Sequence, residues 1–295
     1  MKIGVAELTT GGRLVKIIQI PEGYEDFVDV PDPQAVVDAL KKQRPRADVF
    51  SFWQRLPDTQ PRFHYHLEWD NVAAIEVTTR KQWLEQGVHP SVRTKLRKAI
   101  KQGVSVELMA FDDELVHGMA GIFNEAPVRQ GRPYEHYGKT PQQIRAEWSV
   151  DLDFSVFVGA VFEGELIGFV KLSFTDRYAE MSGTICKLAH RDKPAMTALI
   201  SRCVQFCEER GIPYLCYGKF VYGRKGEDSL TDFKRHNGFR RIDVPRYFVP
   251  LTAWGRIGLK LGLHRSITHH LPSRLHRKLL DARANYYRWR QAPAG

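Results

Sequence analysis

The 295-residue sequence has few cysteines and no long hydrophobic segment. Its four cysteines, Cys186, Cys203, Cys207 and Cys216, form no C-x-x-C pair and have no histidine at ligand spacing. We therefore expect reduced thiols rather than a disulfide framework or a zinc knuckle. No run of about 18 uncharged apolar residues occurs, and the N-terminus lacks the apolar core of a signal peptide. These features predict a cytoplasmic protein without a membrane-spanning helix.

Several common catalytic motifs are also missing. The sequence has no G-x-S-x-G elbow, no H-E-x-x-H helix, no G-x-G-x-x-G turn and no G-x-x-x-x-G-K-[ST] loop. These absences argue against a serine hydrolase, a zinc protease, a dinucleotide enzyme and a P-loop nucleotide hydrolase. Hydrophobic residues make up 43% and charged residues 26% of the chain, which is typical of an ordered globular protein.

Positive charge is concentrated at the C-terminal end. The formal net charge is +10, and residues 252–295 hold nine Lys or Arg against one acidic residue, Asp281, which is a net +8. Within this tail Trp254, Ile257 and Leu261 recur at helical spacing, which predicts a basic amphipathic helix. Such a segment is typical of binding to an anionic membrane surface. Packing against the body with solvated cations is the open alternative, and no recognition motif points to DNA.

Residues 154–251 predict a mixed α/β sheet with helices on its faces. The runs VFVGAVF and ELIGFVKLSF, joined by Glu163-Gly164, indicate a hairpin, and AEMSGTICKLAH indicates a third strand. Pro194 begins a helix, after which IPYLCYG should lie parallel to the third strand. A short helix with a capping box that starts at Ser229 and a last strand, FRRIDVPRYFVPL, follow.

Upstream, residues 92–100 predict a basic helix whose apolar face is Val92, Leu96, Ala99 and Ile100 and which leads through Gly103 into a strand. The same order of helix, glycine and strand occurs at 195–217, so two tandem copies of one architecture are an alternative to a single copy. We expect an N-terminal part over 1–150, an α/β domain over 151–251 and a basic helical extension over 252–295.

The α/β part resembles the GNAT acyltransferase superfamily. The hairpin, the turn HRDKPAMTALI and the element DFKRHNGFRRI carry this resemblance. The stretch VRTKLRKAIKQGVSVELMAF resembles the Fem-type peptidyltransferases, which fuse two GNAT-like domains and add amino acids to cell-wall precursors. The resemblance implies a GNAT-like fold, with the N-terminal part as a degenerate GNAT-like copy that takes part in substrate binding.

The resemblance also implies a reaction, namely acyl transfer from acetyl-CoA or another acyl-CoA to an amine or hydroxyl. Aminoacyl-tRNA is the second choice of donor, and the implied acceptor is a small or lipid-linked precursor of the cell envelope or of a polysaccharide. An enzyme of this kind would be peripheral at the inner membrane face. The alternative is a non-catalytic GNAT-like module that binds an anionic lipid or glycan precursor.

In the GNAT superfamily, backbone amides between the third strand and the next helix hold the pyrophosphate of acetyl-CoA. The matching positions here are Arg191, Lys193, Ala195 and Met196. A helix N-terminus suits an anion because its first N–H groups are unpaired and the helix dipole is positive there. The turn departs from the family pattern, since it has no glycine and Pro194 removes one amide donor.

Acyl transfer needs a base for the acceptor and an acid for the leaving group. Glu180 begins the third strand, while Tyr217 and Lys219 end the strand parallel to it. The resemblance implies that these residues approach the ligand. We expect Glu180 to act as the base, Tyr217 as the acid and Lys219 to bind substrate, with a surface Glu and a half-buried Tyr as the alternative.

The polar segment after Phe123 is the main candidate for substrate binding. Within sixteen positions it collects acidic, basic and aromatic residues, which are Asn124, Glu125, Arg129, Arg132, His136, Tyr137 and Lys139. The cations can grip a phosphate or carboxylate, Tyr137 can stack on a ring, and His136 or Glu125 can move a proton. A solvated loop without a function is the alternative.

His64, His66 and Glu68 alternate within FHYHLEW, so on a strand they would share one face, as metal ligands do. The neighbouring sequence supplies neither a fourth ligand nor a downstream partner. We therefore expect no metal.

Overall fold

The computed structural model describes residues 2–3, 6–21, 30–43, 46–222 and 228–265. The strands, β1 to β14 in chain order, are Lys2–Ile3, Ala6–Glu7, Thr9–Gly11, Ile17–Gln19, Val49–Trp53, His66–Glu76, Ser105–Met109, Val128–Arg129, Arg132–Pro133, Ser155–Phe162, Glu165–Phe174, Ala179–Cys186, Tyr214–Cys216 and Arg240–Pro250. The α-helices, α1 to α8, are Pro33–Gln43, Arg80–Gln82, Pro90–Lys101, Asp113–Phe123, Pro141–Trp148, Ala195–Arg210, Ser229–His236 and Ala253–Lys260. None of the helices in these ranges has the length and apolar character needed to cross a bilayer.

These residues divide into two compact units. The first unit comprises the described residues of 2–73, 219–222 and 241–265, and the second comprises 74–218 and 228–240. The division differs from the boundaries predicted near residues 150 and 251. The reason is that β7, before residue 150, pairs along its length with β10, after residue 150, so both belong to one sheet.

In the first unit the strand order is β3, β4, β5, β14 and β6. Strand β5 is buried along its whole length, with Phe50 and Phe52 in the core on one face and Val49 in the core on the other. Helix α1 covers the first face through Val37 and Leu40. Helix α8 covers the second face through Leu259. The described C-terminal part ends five residues after this helix, at residue 265. Residues 266–295 of the predicted basic extension lie outside the described residues.

In the second unit the strand order is β6, β13, β12, β11, β10 and β7. The predicted hairpin is confirmed, because Glu163 and Gly164 have φ values of 51° and 78°, which a two-residue turn of this kind requires. Helix α6 connects β12 to β13, and these two strands are parallel as predicted. Gly211 ends the helix in the left-handed conformation, with a φ of 66°. The mixed α/β fold expected from the pattern is therefore present.

Two local predictions were wrong. The cap of α7 is Asp228 rather than Ser229, since the Asp228 carboxylate accepts hydrogen bonds from the amides of Leu230 and Thr231, both at 3.0 Å. Ile100 was expected on the apolar face of α3 but is 63% exposed. The buried face of that helix consists of Val92, Leu96 and Ala99.

Candidate functional site

The candidate site in the second unit begins where two parallel strands separate. Strands β12 and β13 pair at two positions, Ala179 with Leu215 and Glu180 with Cys216. Strand β12 then continues to Cys186, whereas β13 ends at Cys216. Within the described part of the chain no strand pairs with this edge of β12 beyond Glu180, which makes room for a ligand next to β-strand backbone.

A cavity of about 730 Å³ lies in this gap. Its lining comes from the segment between α4 and α5, from β12, from the start of α6 and from the end of β13. These residues are Phe123, Val128, Arg129, Gln130, Arg132, Pro133, Tyr134, Glu135, His136, Trp148, Ser182, Gly183, Thr184, Ile185, Cys186, Leu188, Arg191, Met196 and Tyr217. The structure thus brings together six predicted site residues, namely Arg129, Arg132, His136, Arg191, Met196 and Tyr217. Their chemical roles stay predictions.

Glu125 fastens the polar segment to the turn after β12. Its carboxylate accepts hydrogen bonds from the backbone amides of Leu188 at 2.5 Å and Ala189 at 2.7 Å, and from the guanidinium of Arg129 at 2.9 Å. Arg129 also donates to the carbonyl of Cys186 at 3.0 Å. Arg129 lines the cavity, and its ion pair with Glu125 forms a clamp at the cavity wall. We call Glu125 and Arg129 the loop clamp; the expected proton transfer by Glu125 is not tested by these contacts.

Other residues of the segment hold its shape. Asn124 donates to the carbonyl of Lys139 at 3.1 Å and accepts from the amide of Gly138 at 2.6 Å, which closes the loop on itself. Lys139 pairs with Glu147. Tyr137 is 47% exposed and lies outside the cavity lining, so the structure does not bring it to the other candidate residues.

The side chain of His136 lines the cavity. Its ring stacks on Phe123 with 4.7 Å between ring centroids, and its Nδ1 lies 2.9 Å from the ammonium of Lys139. Burial, followed by the charge of Lys139, lowers the pKa of His136. This shift favours the neutral imidazole, whose Nδ1 accepts a hydrogen bond from the Lys139 ammonium.

The turn before α6 uses most of its own amides. The amide of Arg191 donates to the Leu188 carbonyl at 3.3 Å, that of Lys193 to the His190 carbonyl at 3.0 Å, and that of Ala195 to the Lys193 carbonyl at 2.8 Å. The ammonium of Lys193 lies 4.3 Å from the ring centroid of Phe162. The amide row expected to hold a pyrophosphate is therefore already bonded at three of its four positions. Among the predicted contacts for acyl-CoA, the side chain of Arg191 and the first turn of α6 at Met196 reach the cavity.

Lys234, a buried lysine that the sequence did not indicate as a site residue, contacts Tyr217. Lys234 of α7 is 0% exposed, and its ammonium donates to the Tyr217 carbonyl at 2.7 Å and lies 4.5 Å from the centroid of the Tyr217 ring. Burial lowers the pKa of Lys234 to about 8, while the nearby charge of Glu180 acts in the opposite direction. Local sequence gave no signal for its burial, since Thr231 and Lys234 form the buried face of α7 although lysine is rarely buried.

Glu180 lies beside this lysine rather than in the cavity lining. It is 5% exposed, and its carboxylate accepts from the amide of Gly218 at 2.6 Å. Lys219, expected to bind substrate, lies in the first unit, where its ammonium pairs with Asp70 at 2.6 Å. Lys219 is not among the residues that line the cavity.

Residues 112–219 match the sequence model of the acetyltransferase (GNAT) family. This range contains every residue that lines the cavity, from Phe123 to Tyr217. No curated protein sequence matches the chain.

Solved structures extend the similarity beyond the matched range. FemX aligns with a TM-score of 0.58 and 11% identity, over 87% of this chain and 86% of FemX. L-PGS from Bacillus licheniformis aligns with a TM-score of 0.56 and 12% identity, over 88% of this chain and 86% of that protein. The C-terminal domain of an Agrobacterium fabrum protein assigned as a lysylphosphatidylglycerol synthetase aligns with a TM-score of 0.53 and 15% identity, over 87% of this chain and 84% of the domain. At these identities the likeness is one of fold.

The matched range and the shared fold agree with the elements that carry the resemblance in the sequence. The family model over residues 112–219 thus confirms the resemblance to the GNAT superfamily, and the chain shares the fold of FemX and L-PGS.

Proposed function

We propose that this chain is an acyltransferase that moves an aminoacyl or acyl group onto a hydroxyl or amine of a lipid-linked acceptor of the cell envelope. The observation that carries the proposal is the separation of β12 and β13 after Glu180 and Cys216. The cavity at this separation is lined by arginine, histidine and tyrosine side chains, and all of them lie within the residues that match the GNAT family.

For the donor we place an aminoacyl ester such as aminoacyl-tRNA ahead of acyl-CoA, which reverses the order expected from the sequence. A coenzyme A pyrophosphate would need free amides in the turn before α6, and the amides of Arg191, Lys193 and Ala195 are bonded within that turn. Three arginines line the cavity, Arg129, Arg132 and Arg191, and the last two are exposed and can meet phosphates of any donor. Structural neighbours named for lysylphosphatidylglycerol, a lipid that carries an amino acid, are consistent with this donor.

The cavity residues suit the chemistry of acyl transfer. The acceptor oxygen or nitrogen bonds to the acyl carbon, the bond from that carbon to the donor oxygen or sulfur breaks, and a proton passes from acceptor to leaving group. We assign Tyr217 as the group that gives the proton to the leaving atom, because it lines the cavity. Glu180 stays the candidate base, and Lys234 is a positioning residue that holds the Tyr217 carbonyl.

The transfer assay uses tRNA charged with labelled amino acids and phosphatidylglycerol vesicles, with labelled acetyl-CoA as a second donor in parallel. We expect label to reach lipid from aminoacyl-tRNA, and we expect the Tyr217→Phe variant to lose about 10²- to 10⁴-fold in rate, as for loss of a general acid. Tyr137→Phe is the matched control because Tyr137 lies outside the cavity. Acetyl-CoA should leave the melting temperature unchanged.

Different outcomes of this assay point to different functions. Transfer from acetyl-CoA, with a higher melting temperature in its presence, would restore coenzyme A as the donor. Absence of transfer from both donors, together with binding of the vesicles, would favour the non-catalytic lipid- or glycan-binding module. Equal rates for the Tyr217 and Tyr137 variants would remove Tyr217 as the acid.

Helix α8 supports a membrane-surface acceptor. Trp254 and Ile257 of this helix and Leu261, its C-cap, were predicted to recur at helical spacing, and they are 47%, 48% and 63% exposed. The helix packs on the first unit through Leu259 instead, and Arg256 and Lys260 are exposed beside the stripe. An exposed apolar stripe between cations fits an anionic bilayer surface. We name Trp254, Ile257 and Leu261 the α8 stripe.

Vesicle flotation checks this surface. The double variant Ile257→Ser, Leu261→Ser should reduce binding to phosphatidylglycerol vesicles at least about tenfold, because each buried apolar side chain contributes roughly 1.5–3 kcal/mol. Ile100→Ser is the matched control, since Ile100 is 63% exposed on α3. Equal flotation of the double variant and the control would exclude the α8 stripe as the contact.

A further inference from the structure

The first unit joins three side chains that lie far apart in the sequence. His66 and Glu68 share one face of β6, and His264 follows α8. The Nε2 atom of His264 lies 2.7 Å from Oε1 of Glu68, and the Nε2 atom of His66 lies 3.6 Å from the same oxygen. The potential ligand atoms of the three residues all lie within 4.8 Å of one another. His264 is thus the downstream partner whose absence near FHYHLEW led to the expectation of no metal.

We propose that His66, Glu68 and His264 form a binding site for a divalent transition metal, with Zn²⁺ as the ion that two imidazoles and one carboxylate suit best. Tetrahedral Zn²⁺ with bonds of about 2.0–2.2 Å holds neighbouring ligand atoms roughly 3.3 Å apart. The two observed separations from Glu68, 2.7 and 3.6 Å, fall on either side of this value, and the ligand atoms of the two histidines lie within 4.8 Å of each other. Small side-chain movements are therefore enough to admit the ion.

The surroundings hold the ligands in place. The ring of Phe248 lies 4.8 Å from the ring of His264 and 6.1 Å from that of His66, so one core aromatic side chain contacts both imidazoles. The side chain of His264 is 2% exposed, whereas that of His66 is 41% exposed. An ion can therefore enter from the His66 side while His264 forms the fixed inner ligand.

Arg265 is the one described cation in contact with the Glu68 carboxylate in this cluster. Its guanidinium donates to Oε1 of Glu68 at 3.0 Å. A carboxylate oxygen has two lone-pair sites, and ligand carboxylates commonly keep a hydrogen-bond partner in addition to the metal. Oε1 of Glu68 can therefore keep its hydrogen bond from Arg265 and bind the ion with its other lone pair.

The site would fasten the turn after α8 to β6 within the first unit. Three protein ligands leave the fourth position of a tetrahedral ion to water, so the site needs no further residue. Because the ion binds only the folded arrangement of these residues, it would raise the melting temperature of the protein.

The test uses the full chain after treatment with a chelator. Zn²⁺ is titrated by calorimetry, and Co²⁺ is added as a spectroscopic probe whose visible absorption reports imidazole coordination. We expect one equivalent to bind, and we expect His66→Ala to weaken binding at least about 100-fold, as loss of a direct ligand exceeds the 10- to 100-fold cost of losing an outer partner. Because His66 is half-exposed, this variant should keep its fold.

His64→Ala is the matched control, since His64 is exposed and lies just before β6. This variant should bind Zn²⁺ like the unchanged protein and should keep the Zn²⁺-dependent rise in melting temperature, which His66→Ala should lose. The proposal is overturned if the unchanged protein binds no Zn²⁺. It is also overturned if the His64 and His66 variants bind the ion alike, because the ion would then be held by exposed histidines in general.

Discussion

The Glu125→Ala variant should lose about 3–5 kcal/mol of its free energy of unfolding, as expected when one partner of a buried ion pair is removed. The side chains of Arg129 and Glu125 are 12% and 18% exposed, so the remaining guanidinium would be left without its buried carboxylate. The amides of Leu188 and Ala189 would lose their acceptor at the same time. Urea unfolding at pH 7 measures the loss, and the transfer assay should show little activity, because these contacts hold the cavity wall.

Glu125→Gln separates the charge of the loop clamp from its shape. The amide oxygen still accepts a hydrogen bond, so this variant should lose less stability than Glu125→Ala. Glu107→Ala is the control, because Glu107 is exposed on β7 and surface substitutions usually stay within about 0.5 kcal/mol. If Glu125→Ala unfolds at the same urea concentration as Glu107→Ala, the loop clamp does not stabilise the protein.

Those parts of the fold that are determined by residues adjacent in the sequence could be predicted. Gly103 and Gly211 end helices in the left-handed conformation, with φ values of 83° and 66°, and glycine is the residue that adopts it without strain. Glu163-Gly164 specifies its hairpin for the same reason. Which strands make up the first unit could not be predicted. Strand β14 lies between β5 and β6 in the sheet, although residues 77–239 separate it from β6 in the chain.

In the candidate site, too, contacts between residues far apart in the sequence could not be predicted. The family resemblance placed Arg191, Met196 and Tyr217 near a ligand, and all three line the cavity. The contacts of Glu125 with amides 63 and 64 positions away depend on how the loop packs, which no local pattern encodes. Lys219 was placed with Tyr217 because both were expected to end one strand, but that strand ends at Cys216 and the ammonium of Lys219 pairs with Asp70.

Lys234 should make the stability of the protein depend on pH. Its pKa is lowered to about 8 by burial, from 10.5, so between these values the unfolded chain binds a proton that the folded chain has released. The free energy of unfolding therefore rises with pH in this window, by about 2 kcal/mol between roughly pH 7.5 and 9.5. Lys234→Met should lack this rise, which urea unfolding at the two pH values measures as the difference between the two proteins.

Activity gives the second readout for Lys234, and it separates a positioning role from a purely structural one. At pH 7 Lys234→Met should be about as stable as the unchanged protein, because replacing a buried charge by an apolar side chain of similar size is often neutral or stabilising. Its transfer rate should nevertheless fall, since the ammonium no longer holds the Tyr217 carbonyl at 2.7 Å. The rate of the unchanged protein should decline above about pH 8, as that ammonium loses its proton, while the variant stays low and flat. Lys95→Met, on the exposed face of α3, should match the unchanged protein in both measurements. A full transfer rate in Lys234→Met would leave Lys234 with a role in packing alone.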